Sequence, residues 1–140
     1  MPDSRDHGLI EFMMEGLAVV GLLVVLTLIG VQSTIAATRV SASRTEARFV
    51  AMEWDLKNLA DRQILHFADE AAFASSLEDL RFVGTDGVIV SIMASPEGWS
   101  GTASHAALGE DEGCAIFFGT VPVPASPVRP VSPGKVACTE

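Results

Sequence analysis

The feature that most constrains this chain is a long apolar run near the N-terminus, uncharged from Gly16 to Thr38. About 20 apolar residues are enough to cross a bilayer as a helix. We therefore predict a transmembrane helix over residues 9–38, preceded by a short polar leader, residues 1–8. A cleaved secretory signal peptide is the alternative, since "STIAA" offers a small-residue site. Such peptides begin with basic residues, however, whereas "MPDSRDH" has one Arg and two Asp.

Two carboxylates, Glu11 and Glu15, lie within this apolar segment. They are four residues apart and therefore share one helix face. Two interpretations are open. Both side chains lie near the end of the membrane segment, where interfacial water makes a carboxylate tolerable. Alternatively, they pair with a cation or a hydrogen-bond donor on another subunit, because an unpaired charge in a membrane is costly.

Composition excludes several classes of function. The formal net charge of −9 argues against a nucleic-acid partner and against adhesion to anionic lipid head groups. The sequence has no nucleophile motif, no glycine-rich phosphate loop and no Cys/His metal set. We predict no enzymatic activity, no cofactor, no metal site and no small-molecule substrate.

Residues 39–70 continue the helical pattern outside the membrane. No Pro or Gly occurs from Val31 to Phe82, so one helix can run through; the competing prediction is a restart near Ser43, which has capping-box spacing to Glu46. Apolar residues at helical spacing predict one buried stripe. The stripe consists of Phe49, Met52, Leu56, Leu59 and Phe67.

Trp54 lies off that stripe, about 140° from Phe49 on a helical wheel. It shares its side of the helix with Val50 and Leu65. Either a loop of this chain covers the indole or a partner does. Since Trp is enriched in interface cores, we predict Trp54, Val50 and Leu65 as partner contacts.

The last part of the chain, residues 71–140, predicts a loop, an antiparallel sheet and a Pro-rich tail. The loop contains a short helical turn, with capping-box spacing between Ser75 and Glu78. "DGVIVSIMA", "GWSGTASHA" and "GCAIFFGTV" are typical of strands, and "SPEG" predicts a hairpin turn. The fold class is therefore α+β, with the helix packed on a sheet of three or four strands.

Two cysteines, Cys114 and Cys138, flank the Pro-rich tail. An even number in an exported domain favours one disulfide. Two buried thiols are the alternative.

Nearly the whole chain resembles a type IV pilin or pseudopilin. "GLIEFM" resembles the processing site of that family, "EWDLKNLADRQILHFADEAAFASSLEDL" its helix-to-loop region, and "GVIVSIMASPEGWSGTASHAALGEDEGCAIFFG" its strands. The resemblance implies a pilin-like head, a closing disulfide, Gly8 as the processing-like site, and Glu11 as the glutamate that neutralises a neighbouring subunit's N-terminal amine.

The sequence also departs from this family. Gly8 directly precedes Leu9, where the family has a Phe-Thr pair, and the leader lacks the usual basic residues. We therefore expect an uncleaved pilin-like accessory subunit that braces a larger membrane protein complex, such as a respiratory or photosynthetic assembly. Its partners would be other membrane protein subunits and the lipid bilayer. The alternative is a minor pilin or pseudopilin of a type IV pilus or type II secretion machine.

Charges flanking the membrane segment conflict with this family's topology. Arg5 precedes the segment, whereas Arg39, Arg44 and Arg48 follow it, and the positive-inside rule would keep the head in the cytoplasm. The pilin resemblance and the predicted disulfide instead favour an exported head. We predict a single-pass protein of the bacterial inner membrane with its head on the periplasmic side.

Overall fold

A computed structural model describes the backbone of residues 4–140 and the side chains of residues 7–27 and 38–140. Helix α1 covers Ser4–Glu70, followed by strands β1 (Val88–Ser95), β2 (Gly98–His105), β3 (Gly113–Gly119) and β4 (Ala137–Cys138). The chain divides into two compact units, Met1–Ser43 and Arg44–Glu140. The second unit is called the head from here on.

The first unit contributes the apolar part of α1. His7–Thr27 is long and apolar enough to cross a membrane, and its side chains are exposed within the protein. The Thr27 hydroxyl donates to the carbonyl oxygens of Leu23 and Val24, at 3.1 and 2.8 Å, so it is satisfied within the helix. The predicted span of 9–38 includes residues 28–37, whose side chains lie outside the described residues. A helix restart near Ser43 is wrong, because α1 is continuous there.

In the head, α1 packs one face against the sheet. Met52, Leu56 and Leu59 are fully buried and Phe49 is half-buried, as the stripe predicted. The prediction that Phe67 is buried is wrong, because its side chain remains 42% exposed. It lies in the last turn of α1 and stacks on Phe73, with ring centroids 4.6 Å apart, instead of entering the core.

The four strands form one antiparallel sheet in the order β1-β2-β3-β4, which confirms the predicted α+β class. Strands β1 and β2 form the predicted hairpin, with Ser95 opposite Gly98. Gly101, in the centre of β2, sets how closely the helix approaches. A Cβ there would lie 2.8 Å from Leu59 Cδ2, so only glycine permits this contact without a shift.

The loop between α1 and β1, residues 71–87, forms turns and no helix. The predicted capping pair Ser75 and Glu78 does not form the turn. Instead, Ser76 Oγ accepts a hydrogen bond from the Asp79 N–H at 3.1 Å, and the Phe82 N–H donates to the Leu77 carbonyl at 2.9 Å. This segment is too short to repeat the helical pattern, so it closes as a turn.

Two buried polar side chains of α1 hold this loop in place. The Gln63 amide, fully buried, donates to the Ala74 carbonyl and accepts from the Ala74 N–H, both at 2.9 Å. The Asp55 carboxylate accepts from the Thr85 N–H at 2.7 Å and from the Thr85 hydroxyl at 2.9 Å. Burial of these polar groups is tolerated because they are hydrogen-bonded.

The C-terminal tail returns to the sheet at β3. Cys114 and Cys138 lie opposite each other on β3 and β4 and form a disulfide, as predicted. The Gly134 N–H donates to the Phe117 carbonyl at 2.7 Å, and the Thr139 N–H donates to the Gly113 carbonyl at 2.9 Å. The tail therefore closes one edge of the sheet with backbone hydrogen bonds as well as with a covalent bond.

Candidate partner-binding surface

The outer face of α1 in the head carries large apolar side chains that nothing in the described chain covers. Trp54 is 68% exposed, and Val50 and Leu65 are exposed to a similar extent. Coverage of Trp54 by a loop of this chain, one of the two predicted alternatives, is therefore wrong. Trp54 and Val50 are one turn apart, and their side chains are neighbours on the helix surface. We call Val50 and Trp54 the outer patch.

Leu65 does not belong to the same patch. It lies eleven residues beyond Trp54 in sequence, or about 16 Å along the helix axis. Lys57 and Asp61 occupy the intervening turns, and Lys57 Nζ forms an exposed salt bridge with Glu53 Oε1 at 2.6 Å. The structure therefore brings two of the three predicted contacts together and separates the third.

An apolar groove, which the sequence did not predict, opens beside Lys57 and Asp61. It has a volume of about 330 Å³, with Lys57 and Asp61 at its rim. Its remaining lining is mostly apolar and comes from Ala60, Ile64, Phe73, Trp99, Ile116, Phe118 and Gly134. These residues belong to the helix, the loop, two strands and the tail. No local pattern identifies such a groove, because tertiary packing alone assembles it.

The predicted residues of the N-terminal helix also share one side. Gly8, Glu11 and Glu15 line a common shallow concavity on α1. Both glutamates are exposed within the chain, as are the neighbouring Phe12 and Met14. The helix thus presents two carboxylates amid apolar side chains, which is the arrangement that the spacing predicted.

These surfaces offer apolar contact and a few charges. Among the described residues, no group of three or more His, Cys, Asp or Glu side chains is placed to hold a metal ion. Every buried side-chain nitrogen or oxygen in the part of the chain described has a hydrogen-bond partner. Of the buried polar side chains, Asp55 and Gln63 bond to the loop between α1 and β1.

Comparisons with known proteins do not assign the chain to a family. No family model, no curated protein and no solved structure matches it.

Proposed function

We propose that this protein is a non-catalytic, single-pass membrane protein, a pilin-like accessory subunit that holds together a larger assembly of membrane proteins. The apolar helix anchors it in the bacterial inner membrane, and the head lies on the periplasmic side. Both the helix and the head contact other subunits. The leader, residues 1–8, stays attached.

The observation that carries this proposal is the exposed apolar segment His7–Thr27. Its large side chains, such as Phe12 and Leu17, are 80% and 70% exposed. A soluble protein rarely leaves so large an apolar surface in contact with water. A bilayer covers such a helix on all sides, and the helix satisfies its own backbone hydrogen bonds there.

The head supports the remaining parts of the proposal. Its Cys114–Cys138 disulfide fits an oxidising compartment such as the periplasm. The exposed Trp54 supports docking of a subunit, because Trp residues often anchor interfaces.

Membrane insertion and sidedness are tested with C-terminal fusions of the full-length chain. We expect a fusion to alkaline phosphatase to be active and a fusion to ordinary green fluorescent protein to be dark. The fused protein should also remain in the membrane pellet after carbonate extraction. Extraction by carbonate would refute the anchor, and a fluorescent, phosphatase-inactive pair would refute the periplasmic head.

Intact mass of the protein from its native membrane separates the proposal from its alternatives. The full-length mass supports the uncleaved subunit. Loss of the residues before Leu9 would favour a minor pilin or pseudopilin, for which the shared position of Gly8, Glu11 and Glu15 is the supporting observation. Loss of the whole apolar segment would identify a signal peptide and refute the anchor.

A further inference from the structure

Strand β1 forms an open edge of the sheet. Within the described residues it pairs with β2 alone, over its full length from Val88 to Ser95. An edge strand presents a row of unpaired backbone N–H and C=O groups, on which another extended chain can add. Which groups form that row follows from the hydrogen bonds on the far side of β2.

The Thr120 N–H donates to the Glu97 carbonyl at 3.0 Å, so the Glu97 carbonyl points towards the β3 side. Backbone groups of successive residues in an antiparallel strand point to opposite sides. The next residue, Gly98, therefore faces β1, where it lies opposite Ser95. Counting back along β1, the backbone groups of residues 91, 93 and 95 face β2.

The backbone groups of Val90, Ile92 and Ala94 consequently point away from the sheet. No hydrogen bond joins them to any other element of the described chain. The opposite edge differs, since the tail there supplies hydrogen bonds to Gly113 and Phe117. The protein thus closes one edge of its sheet and leaves the other open.

The sequence of β1 lacks the devices that protect exposed edges. "VIVSIMAS" contains no charge, no Pro and no Gly. Proteins usually block such strands with Lys, Pro or a bulge. Here the outer face of β1 instead carries Ile89 and Met93, both more than half exposed.

The hydrophobic core is also incomplete at this edge. Core-facing side chains on the inner strands, such as Trp99, Ala103 and Ile116, are almost fully buried. The corresponding side chains on β1, Val90 and Ile92, pack on that core but remain partly exposed. A fifth strand beside β1 would cover them and pair the open backbone groups at once.

Charges at the two ends of β1 identify the chemistry of the occupant. Asp86 precedes the strand and Glu97 lies in the hairpin turn that follows it, and both side chains are exposed. A second copy pairing antiparallel to β1 would bring its acidic ends to these acidic ends, which is unfavourable. A segment that is apolar in the middle and cationic at its ends would meet attraction at both.

We propose that the open edge of β1 binds an extended segment of another protein, with alternating apolar side chains and Lys or Arg at both ends, as a fifth antiparallel strand. Backbone hydrogen bonds to Val90, Ile92 and Ala94 supply the affinity, and the end charges supply the specificity. The proposal concerns the sheet of the head and does not depend on how the chain is anchored.

The test measures amide hydrogen exchange of the full-length protein in detergent micelles, with and without the synthetic peptide acetyl-Lys-Val-Thr-Val-Thr-Val-Thr-Val-Thr-Val-Lys-amide. As an extended strand this peptide is about 33 Å long, which lets its two Lys residues approach Asp86 and Glu97. Without peptide, the amides of Val90, Ile92 and Ala94 should exchange rapidly, and those of Ser91 and Met93 slowly. Peptide should slow exchange at the first three by about tenfold or more, because each gains a backbone hydrogen bond. No slowing at saturating peptide would overturn the proposal.

Two matched variants locate the site. Met93→Lys and Val131→Lys each place one positive charge at an exposed apolar position, but Val131 lies in the tail. Met93→Lys should weaken peptide binding about tenfold, because an edge Lys repels a cationic strand, whereas Val131→Lys should change it less than about twofold. Equal weakening by both variants would show that the added positive charge acts regardless of its position. That result would overturn the assignment of the binding site to the edge of β1.

Two further outcomes contradict the choice of occupant. A peptide with Glu in place of both Lys residues should bind at least about tenfold more weakly, because its ends meet Asp86 and Glu97. Equal binding would remove the charge argument. Protection of Val90, Ile92 and Ala94 that rises with protein concentration in the absence of peptide would identify a second copy as the occupant instead.

Discussion

The two faces of α1 in the head have similar apolar side chains but different surroundings. Leu59 is fully buried against the sheet, whereas Leu65, less than two turns further along, is 66% exposed. The buried face also carries polar groups, Asp55 and Gln63, whereas the exposed face carries the indole of Trp54. Apolar side chains therefore occur on both faces of the helix. The polar groups on the buried face are tolerated because they have hydrogen-bond partners in the loop.

Matched truncations of the two leucines should show the largest difference. Leu59→Ala removes a side chain that packs close to Gly101, and it should lower the free energy of unfolding of the head by about 3 kcal/mol. Leu65→Ala, with the same chemistry and helix, should change it by less than about 0.5 kcal/mol. Urea titration of the full-length protein in detergent measures both.

Tryptophan fluorescence is suited to this titration because both tryptophans, Trp54 and Trp99, lie in the head. Trp99 is 3% exposed and reports on the core. Equal losses for the two leucine variants would contradict the assignment of buried and exposed faces.

Reduction of the disulfide weakens the sheet against which the buried face packs. Cys114 and Cys138 are separated by 24 positions. Opening a loop of this size should lower the stability of the head by about 3 kcal/mol on the chain-entropy argument. A urea titration with and without dithiothreitol measures the difference. Maleimide labelling of the folded, non-reduced protein would contradict the disulfide itself.

Substitution of Gln63 tests the polar part of the buried face. Gln63→Met keeps the volume but leaves the Ala74 N–H and carbonyl without partners at a site that is almost fully buried. The expected loss is about 2 kcal/mol, because unsatisfied buried groups keep their desolvation penalty.

Asp61→Ala is the control on the exposed side and should cost less than about 0.5 kcal/mol. In addition, Gln63→Met should speed hydrogen exchange in residues 71–74. Unchanged exchange there would contradict the role of Gln63 in holding the loop.

Local sequence signals identified most of the fold but not the hydrogen bonds between Gln63 and Ala74. The first strand was predicted because "DG" and "SPEG" mark turns and because the segment between them is rich in β-branched residues. Met52, Leu56 and Leu59 were predicted because apolar spacing follows the helical period. Gln63 lies on the same face as these residues, but a stripe counted from apolar residues leaves it out.

The candidate partner-binding surface was also predicted only in part, because local sequence signals do not show what packs against a residue. A helical wheel places Trp54 away from the core, but it says nothing about what covers that side. The apolar groove and the open edge of β1 depend on segments that are distant in sequence. Phe67 fits the period of the stripe, yet it lies in the last turn of α1, where Phe73 is its partner. The helical period alone does not show at which residue of α1 the rest of the chain stops covering this face of the helix.

Trp54→Ala should have the smallest effect on stability and the clearest effect on assembly. Because the indole is 68% exposed, we expect the free energy of unfolding of the head to change by less than about 0.5 kcal/mol. If Trp54 anchors a subunit, its loss should weaken that contact by about 2 kcal/mol or more. Trp99→Ala is the matched control and should destabilise the head by about 3 kcal/mol or more.

Circular dichroism follows unfolding of both tryptophan variants, since each of them removes a fluorescent probe. Native gel electrophoresis of mildly solubilised membranes follows whether the full-length protein still migrates with its assembly. Trp54→Ala should melt like the unsubstituted protein but migrate as a smaller species. A large drop in melting temperature with unchanged migration would make Trp54 part of the core of the head and contradict its role in docking. Unchanged melting and unchanged migration together would leave the exposed face without a partner at this residue, which would also contradict the proposed contact.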